Sequence, residues 1–280
     1  MKAPRKILEP RGLRPLKRLG QSFLDDRNCI RKIIAISDVQ DDDIVVEIGA
    51  GLGIMTEEIA KRAYRVIALE IDPRLIGILQ EHLASYRNVQ IVCTDVLDYD
   101  FSTAVLDRKI KIIGNIPYNI SSQILFRLIT YRDYISQMVL MFQKELADRI
   151  CAEPGSKQYG IPSVLVHIYA VCSRELVIPP HCFYPEPKVT SSVLKMIMRD
   201  SVGIELVNHD FFITVVKLAF AQRRKTLMNN LRSLLKRGYS EQEIQAALID
   251  SGINGARRAE TLSAAEMAIL SNALYKAEKS

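Results

Sequence analysis

The run Asn115-Ile116-Pro117-Tyr118-Asn119 follows an apolar stretch, 111–115, that reads as a β-strand, so it sits at a strand's carboxyl end. A carboxamide there, next to carbonyls aimed by a proline, can accept hydrogen bonds from both hydrogens of one amino group. An exocyclic amine such as adenine N6 is a poor nucleophile because its lone pair is delocalised into the ring. Acceptors on both hydrogens favour the pyramidal form, in which that lone pair can attack a methyl group. Asn115 supplies one acceptor, and the main-chain carbonyl of Ile116 or Pro117 the other. Pro117 fixes the local φ. Tyr118 offers a flat face to a base taken out of its stack, and Phe183, in a proline-stiffened loop at 183–189, is the candidate for the opposite face. No basic side chain is needed, since the rate gain comes chiefly from holding nucleophile, methyl and sulfur in line.

This run is similar to the (Asn or Asp)-Pro-Pro-(Tyr or Phe) motif of amino-methyltransferases, with Ile116 in the second place. The matching donor pocket is legible upstream. Residues 44–48 form a buried-strand pattern that enters the turn Gly49-Ala50-Gly51-Leu52-Gly53, where a ligand can lie almost against the backbone. Glu70 ends the next strand, placed to accept from both hydroxyls of a ribose. Asp95 follows the third strand and can accept from the amino group of a cofactor adenine. A dinucleotide would need the G-x-G-x-x-G turn for its pyrophosphate, but here the third glycine comes one residue early. That points to S-adenosylmethionine, a sulfonium cation that needs no phosphate cradle. A dehydrogenase would also need a proton-transfer residue beside the nicotinamide, and none is suggested.

These residues require a frame that brings strand ends side by side. Short apolar runs at 44–48, 66–71, 89–93, 111–115, 138–142, 175–178 and 193–198 alternate with helix-period segments such as 54–62, 73–84 and 122–130. The expected class is α/β, a Rossmann-like methyltransferase fold of class I with a seven-stranded, mostly parallel sheet. After residue 198 only helical patterns follow, at 210–221, 222–236, 240–250 and 263–276. Ser240 with Glu243 and Ser263 with Glu266 have capping-box spacing. A catalytic domain over 1–205 and a small helical docking domain over 206–280 are expected.

The formal net charge of +6 makes polyanions the expected partners. Basic residues cluster in the N-terminal arm (Lys2, Arg5, Lys6, Arg11, Arg14, Lys17, Arg18) and between Lys217 and Arg237, a stretch without Asp or Glu. Cys29, Cys93, Cys151, Cys172 and Cys182 are far apart and lack any C-x-x-C spacing, and His82, His167, His181 and His209 lack ligand spacing. No disulfide framework, metal or covalent intermediate is expected. Pro4, Pro10 and Pro15 interrupt the basic start, no apolar h-region follows it, and no run of about 18 apolar residues occurs, so no membrane association and a cytoplasmic setting are expected.

Taken together, the chain resembles the KsgA-type ribosomal RNA adenine dimethyltransferases of the small subunit over nearly its whole length. The marks are Gly20-Gln21-Ser22-Phe23-Leu24, Glu47-Ile48-Gly49-Ala50-Gly51, Asn115-Ile116-Pro117-Tyr118-Asn119-Ile120-Ser121, Phe183-Tyr184-Pro185-Glu186-Pro187-Lys188-Val189 and Ala219-Phe220-Ala221-Gln222-Arg223-Arg224-Lys225-Thr226. The resemblance implies dimethylation of two adjacent adenosines near the 3′ end of small-subunit (16S) ribosomal RNA, on a pre-assembled subunit; a monomer is expected. The resemblance also implies that Ser22, Leu24, Gly49, Glu70, Asp95 and Asn115 line the cofactor, where Gly51 of the glycine turn is expected beside them, and that Arg223, Arg224 and Lys225 dock on RNA. Ser22 departs from the family's usual Asn, keeping hydrogen-bonding capacity but losing reach. Related enzymes that methylate large-subunit RNA share the N-terminal motifs, and the Arg-Arg-Lys-Thr run favours the small-subunit branch.

Overall fold

The computed structural model describes residues 4–199 and 203–277, so Lys2 of the basic arm lies outside the described residues. The strands are β1 (Phe23–Leu24), β2 (Ile44–Ile48), β3 (Arg65–Glu70), β4 (Val89–Cys93), β5 (Ile110–Asn115), β6 (Ile135–Gln143), β7 (Ala170–Ile178), β8 (Phe183–Tyr184) and β9 (Ser191–Met198). The α-helices are α1 (Pro4–Leu8), α2 (Arg27–Ser37), α3 (Ile54–Ala60), α4 (Pro73–Leu83), α5 (Ser121–Thr130), α6 (Lys144–Ile150), α7 (Ile161–Tyr169), α8 (His209–Ala219), α9 (Leu227–Leu231), α10 (Glu241–Asp250) and α11 (Ala264–Ala277).

Seven strands form one sheet in the order β4-β3-β2-β5-β6-β9-β7. The first five are parallel to one another, and β9 runs antiparallel to β6. This is the mostly parallel Rossmann-like sheet that the alternating pattern predicts. β2 is buried at all five positions, as a strand must be when both faces of a parallel sheet are covered. On one side Ile30, Ile33 and Ile34 of α2 pack with Val45, Val66, Ile113 and Val139. Leu79 and Leu83 of α4 pack with Ala50 and Ala68. The strand order reverses at β2, with β3 and β4 on one side and β5 and β6 on the other. Ligands of open α/β sheets bind in the crevice that opens at this switch point.

Two helices are started by side chains the sequence supplies. Asp26 accepts from the Cys29 amide at 2.7 Å, and Asp72 accepts from the Arg74 amide at 3.1 Å, with Pro73 in the first turn of α4. Such a cap contributes about 1 kcal/mol. A second, two-stranded sheet pairs β1 with β8 antiparallel, Phe23 opposite Tyr184 and Leu24 opposite Phe183. Strands of two residues carry no readable period, so this pairing has no signature in the sequence.

The chain divides into two compact units, one of residues 1–147 and 172–198, the other of 148–171 and 199–280. This differs from the expected division at 205, because 148–171 joins the C-terminal helices. In that second unit α7 packs against α8 and α11, burying Val164, Leu165, Val166, Ile168 and Tyr169. Both expected capping boxes form: the Glu243 amide donates to the Ser240 hydroxyl and the Glu266 amide to that of Ser263, while each glutamate accepts from the serine amide. The expected helix over 222–236 does not form as one piece. Residues 221–226 make a turn, and Thr226 caps α9 by accepting from Asn229 at 3.4 Å. Buried Asn230 holds the turn by donating to the carbonyls of Ala219 and Gln222. Among the described residues no helix is long and apolar enough to cross a membrane.

Candidate active site

Three cavities, of about 40, 200 and 70 Å³, adjoin at the carboxyl ends of β2 to β5, and Gly49 lines all three. The glycine turn makes room for them. Gly49 has φ +75° and a Cβ built on it would lie 3.1 Å from the Asn115 carbonyl oxygen; Gly51 has φ +58° and would press the Phe23 ring at 3.0 Å. The left-handed φ and the lack of space both exclude larger residues. The turn is held from β3. The Glu70 carboxylate accepts from the Gly51 amide at 2.8 Å and the Asp72 amide at 2.9 Å. Burial pushes its carboxyl up, and these two backbone donors oppose the shift. Two amide donors leave further lone pairs of the carboxylate for ligand hydroxyls.

Asp95 lines the 200 Å³ cavity with apolar Ile71, Val96 and Pro117, walls suited to a flat heterocycle with one polar edge. One of its oxygens accepts from the Leu97 amide at 2.9 Å, which fixes the carboxylate's direction. Glu70 and Asn115 share the 70 Å³ cavity with Ser22, Pro117 and Tyr118. Asn115 donates its side-chain amide to the Ser22 carbonyl at 2.8 Å. Its Oδ1 therefore faces the other way, as an acceptor. The Pro117 carbonyl accepts from the Ile120 amide at 3.3 Å, closing the turn into α5. The Tyr118 hydroxyl is hydrogen-bonded to that of Ser191, which sets the ring's angle, and burial pushes the phenol up.

Other expected residues fall as follows. Leu24 lines the 40 Å³ cavity. Ser22 lines the 70 Å³ cavity but donates its hydroxyl to the Pro185 carbonyl at 2.8 Å. Phe183 is only 4% exposed and packs with Leu24 and Ile30 in the core, a different task from the base-facing role expected of it. Its place opposite Leu24 in the β1–β8 pair turns it inward. Arg223, Arg224 and Lys225 lie in the other unit, in the turn at 221–226 and not on a helix. Arg223 pairs with Glu260 at 2.7 Å and donates to the carbonyls of Lys157 and Tyr159, whereas Arg224 and Lys225 are exposed.

Sequence reasoning missed several crevice residues. Arg18, Leu19 and Phe23 line it because the N-terminal segment folds over the strand ends, anchored where Gln21 donates to Asp72 at 2.8 Å. Glu47 is the other omission. It is fully buried in β2, lines the 40 Å³ cavity, and among the described residues neither carboxylate oxygen has a hydrogen-bond partner. Burial pushes its carboxyl up to about 8, with the neighbouring Thr56 hydroxyl opposing the shift. One acid inside an otherwise apolar strand pattern was the available signal.

The sequence profile of the ribosomal RNA adenine dimethylases matches residues 14–276. The chain belongs to this family. A relative named ribosomal RNA small subunit methyltransferase A, from Syntrophus aciditrophicus, is 48% identical over 273 residues, covering 96% of this chain and 98% of that protein. A protein of the same name from Geobacillus is 40% identical over 276 residues, 96% and 95% of the two chains. Among solved structures, a dimethyladenosine transferase from Plasmodium falciparum superposes with a TM-score of 0.76 at 25% identity, covering 89% of this chain and 95% of that one. The 23S rRNA methyltransferase ErmE superposes with a TM-score of 0.67 at 26% identity, covering 90% and 99%. Both superpositions cover about nine-tenths of this chain.

Proposed function

We propose that the protein transfers methyl groups from S-adenosylmethionine to N6 of two adjacent adenosines near the 3′ end of small-subunit (16S) ribosomal RNA, giving N6,N6-dimethyladenosine during ribosome biogenesis in the cytoplasm. Family membership supports the reaction type. The observation that carries the reading is the Asn115 side chain, whose Nδ2 is spent on the Ser22 carbonyl, leaving Oδ1 as the acceptor of a residue that lines the same cavity as Glu70.

The cofactor fits the residues present. Gly49 and Gly51 leave a cradle that any Cβ would fill, and Glu47 places an unpartnered buried carboxyl on its wall. Glu70 would hold the ribose hydroxyls, and Asp95, with Ile71 and Val96, the adenine. When bound, S-adenosylmethionine supplies an electrophilic methyl group on a sulfonium centre.

Asn115 Oδ1 accepts one hydrogen of the target amine. Because the Pro117 carbonyl is committed to Ile120, the Ile116 carbonyl is the better second acceptor. Gripped at both hydrogens, the nitrogen keeps its lone pair out of the ring and directed at the crevice. Tyr118, steadied by Ser191, supports the base from one face. These groups act through alignment, which can supply a large part of the barrier reduction. In the helical unit, Arg224 and Lys225 present exposed charge to RNA phosphates, while Arg223 braces the turn that displays them.

Small ribosomal subunits lacking the modification should gain two dimethylated adenosines on incubation with the protein and cofactor, detected by mass mapping of RNA fragments. Methylation elsewhere, or at one isolated adenosine, would refute the assignment.

A further inference from the structure

Asp26, Cys29 and Cys182 come together beside β1, although Cys182 is remote from the other two in sequence. Asp26 caps α2, Cys29 lies in that helix's first turn, and Cys182 directly precedes β8. The β1–β8 pairing, extended by the Asp25 amide donating to the Cys182 carbonyl at 2.8 Å, presses the two segments together. The Cys29 and Cys182 sulfurs lie 3.9 Å apart. A carboxylate oxygen of Asp26 joins them, all three atoms lying within 4.8 Å of one another.

We propose that Asp26, Cys29 and Cys182 form a binding site for a thiophilic divalent cation of the zinc type. Two sulfurs each about 2.3 Å from a tetrahedral zinc are about 3.8 Å apart, close to the separation found here. A disulfide needs them to close to about 2.05 Å, a much larger rearrangement. The Cys29 amide holds one carboxylate oxygen of Asp26 at 2.7 Å, which fixes the group beside the sulfurs, and a carboxylate that accepts one amide keeps lone pairs with which to ligate. Three protein ligands leave the fourth tetrahedral corner to water. Cys182 is buried, while Cys29 and Asp26 are half-exposed and give an ion its path from solvent. Each thiol gives up its proton to solvent as the sulfur ligates. Such an ion ties α2 to the segment whose Pro185 carbonyl holds Ser22, so its binding stiffens one wall of the crevice.

The test uses the full chain, kept reduced with a phosphine, and Co2+ as the probe. One ion per chain should bind with a thiolate-to-cobalt charge-transfer absorption that Zn2+ abolishes by displacement. Cys29→Ser and Cys182→Ser should each remove the band, and Cys93→Ser, at an exposed cysteine, should leave it intact. Asp26→Asn keeps the acceptor that caps α2, so the protein stays folded. Loss of even an outer-shell partner costs metal sites about 10–100-fold in affinity, so this ligand variant should bind Co2+ at least about tenfold more weakly. Absence of the band in the wild-type chain overturns the proposal, as does its survival in either serine variant at Cys29 or Cys182. Unchanged Co2+ affinity in Asp26→Asn removes the carboxylate from the site.

Discussion

The Asn115 side chain donates to the Ser22 backbone carbonyl across 2.8 Å, joining the end of β5 to the N-terminal segment that covers it. An amide that gives its NH2 to a carbonyl must turn its oxygen the opposite way. The segment over the crevice therefore sets the polarity of the Asn115 carboxamide. It is itself fixed by the Ser22 hydroxyl on Pro185 and by Gln21 on Asp72.

Removing the acceptor should separate chemistry from cofactor binding. Asn115→Ala is expected to lower kcat by about 10²–10³-fold, the scale of losing one preorganised hydrogen-bonding group in an active site. Cofactor affinity, read by calorimetry, should stay within a few-fold of wild type. Asn115→Asp keeps an acceptor but loses the donor to Ser22, so it should retain more activity than the alanine variant. Unchanged methyl incorporation in Asn115→Ala would show that another group grips the amine.

Gly49→Ala should act on the cofactor cradle. A left-handed φ costs a non-glycine residue about 1–2 kcal/mol, and the new methyl meets the Asn115 carbonyl at 3.1 Å. A lower melting temperature and at least about tenfold weaker cofactor binding are expected. Binding that survives would place the ligand away from this turn.

Glu47 should make the cofactor-free protein's stability pH-dependent. Burial raises its carboxyl from 4.5 to about 8. Between those values the folded chain keeps a proton that the unfolded chain has released, so this group's contribution to stability falls as pH rises through the window. At lower pH both states are protonated and the penalty is absent. Glu47→Gln should therefore gain melting temperature over wild type progressively from about pH 5 to about pH 8. A difference independent of pH would show that Glu47 does not hold its proton.

The two exposed charges at 224 and 225 should behave differently from Arg223. Replacing both Arg224 and Lys225 with Gln should reduce the slope of log affinity against log salt by roughly 1.4 to 1.8, at about 0.7–0.9 per phosphate contact. Arg223→Gln loses the Glu260 pair and the carbonyls of Lys157 and Tyr159, so its main effect should be a lower melting temperature. An unaltered salt slope in the double variant would mean that this turn does not meet RNA.

Sequence alone determined the features that depend on neighbours in the chain: strand runs with buried periodicity, glycines in a turn, acids at strand ends, S-x-x-E boxes, and the Asn115 motif. Local sterics and hydrogen bonding dictate each of these, so spacing suffices to read them. The α/β class follows from their alternation. Tertiary structure decided which way those groups point and what they meet. Register opposite Leu24 sent Phe183 into the core, packing drew 148–171 to the C-terminal helices, and Glu260 took up Arg223. The meeting of Asp26 and Cys29 with Cys182 belongs here too. Contacts between distant segments depend on how the sheets pair and how side chains fill space, and no periodicity along the chain encodes that pairing.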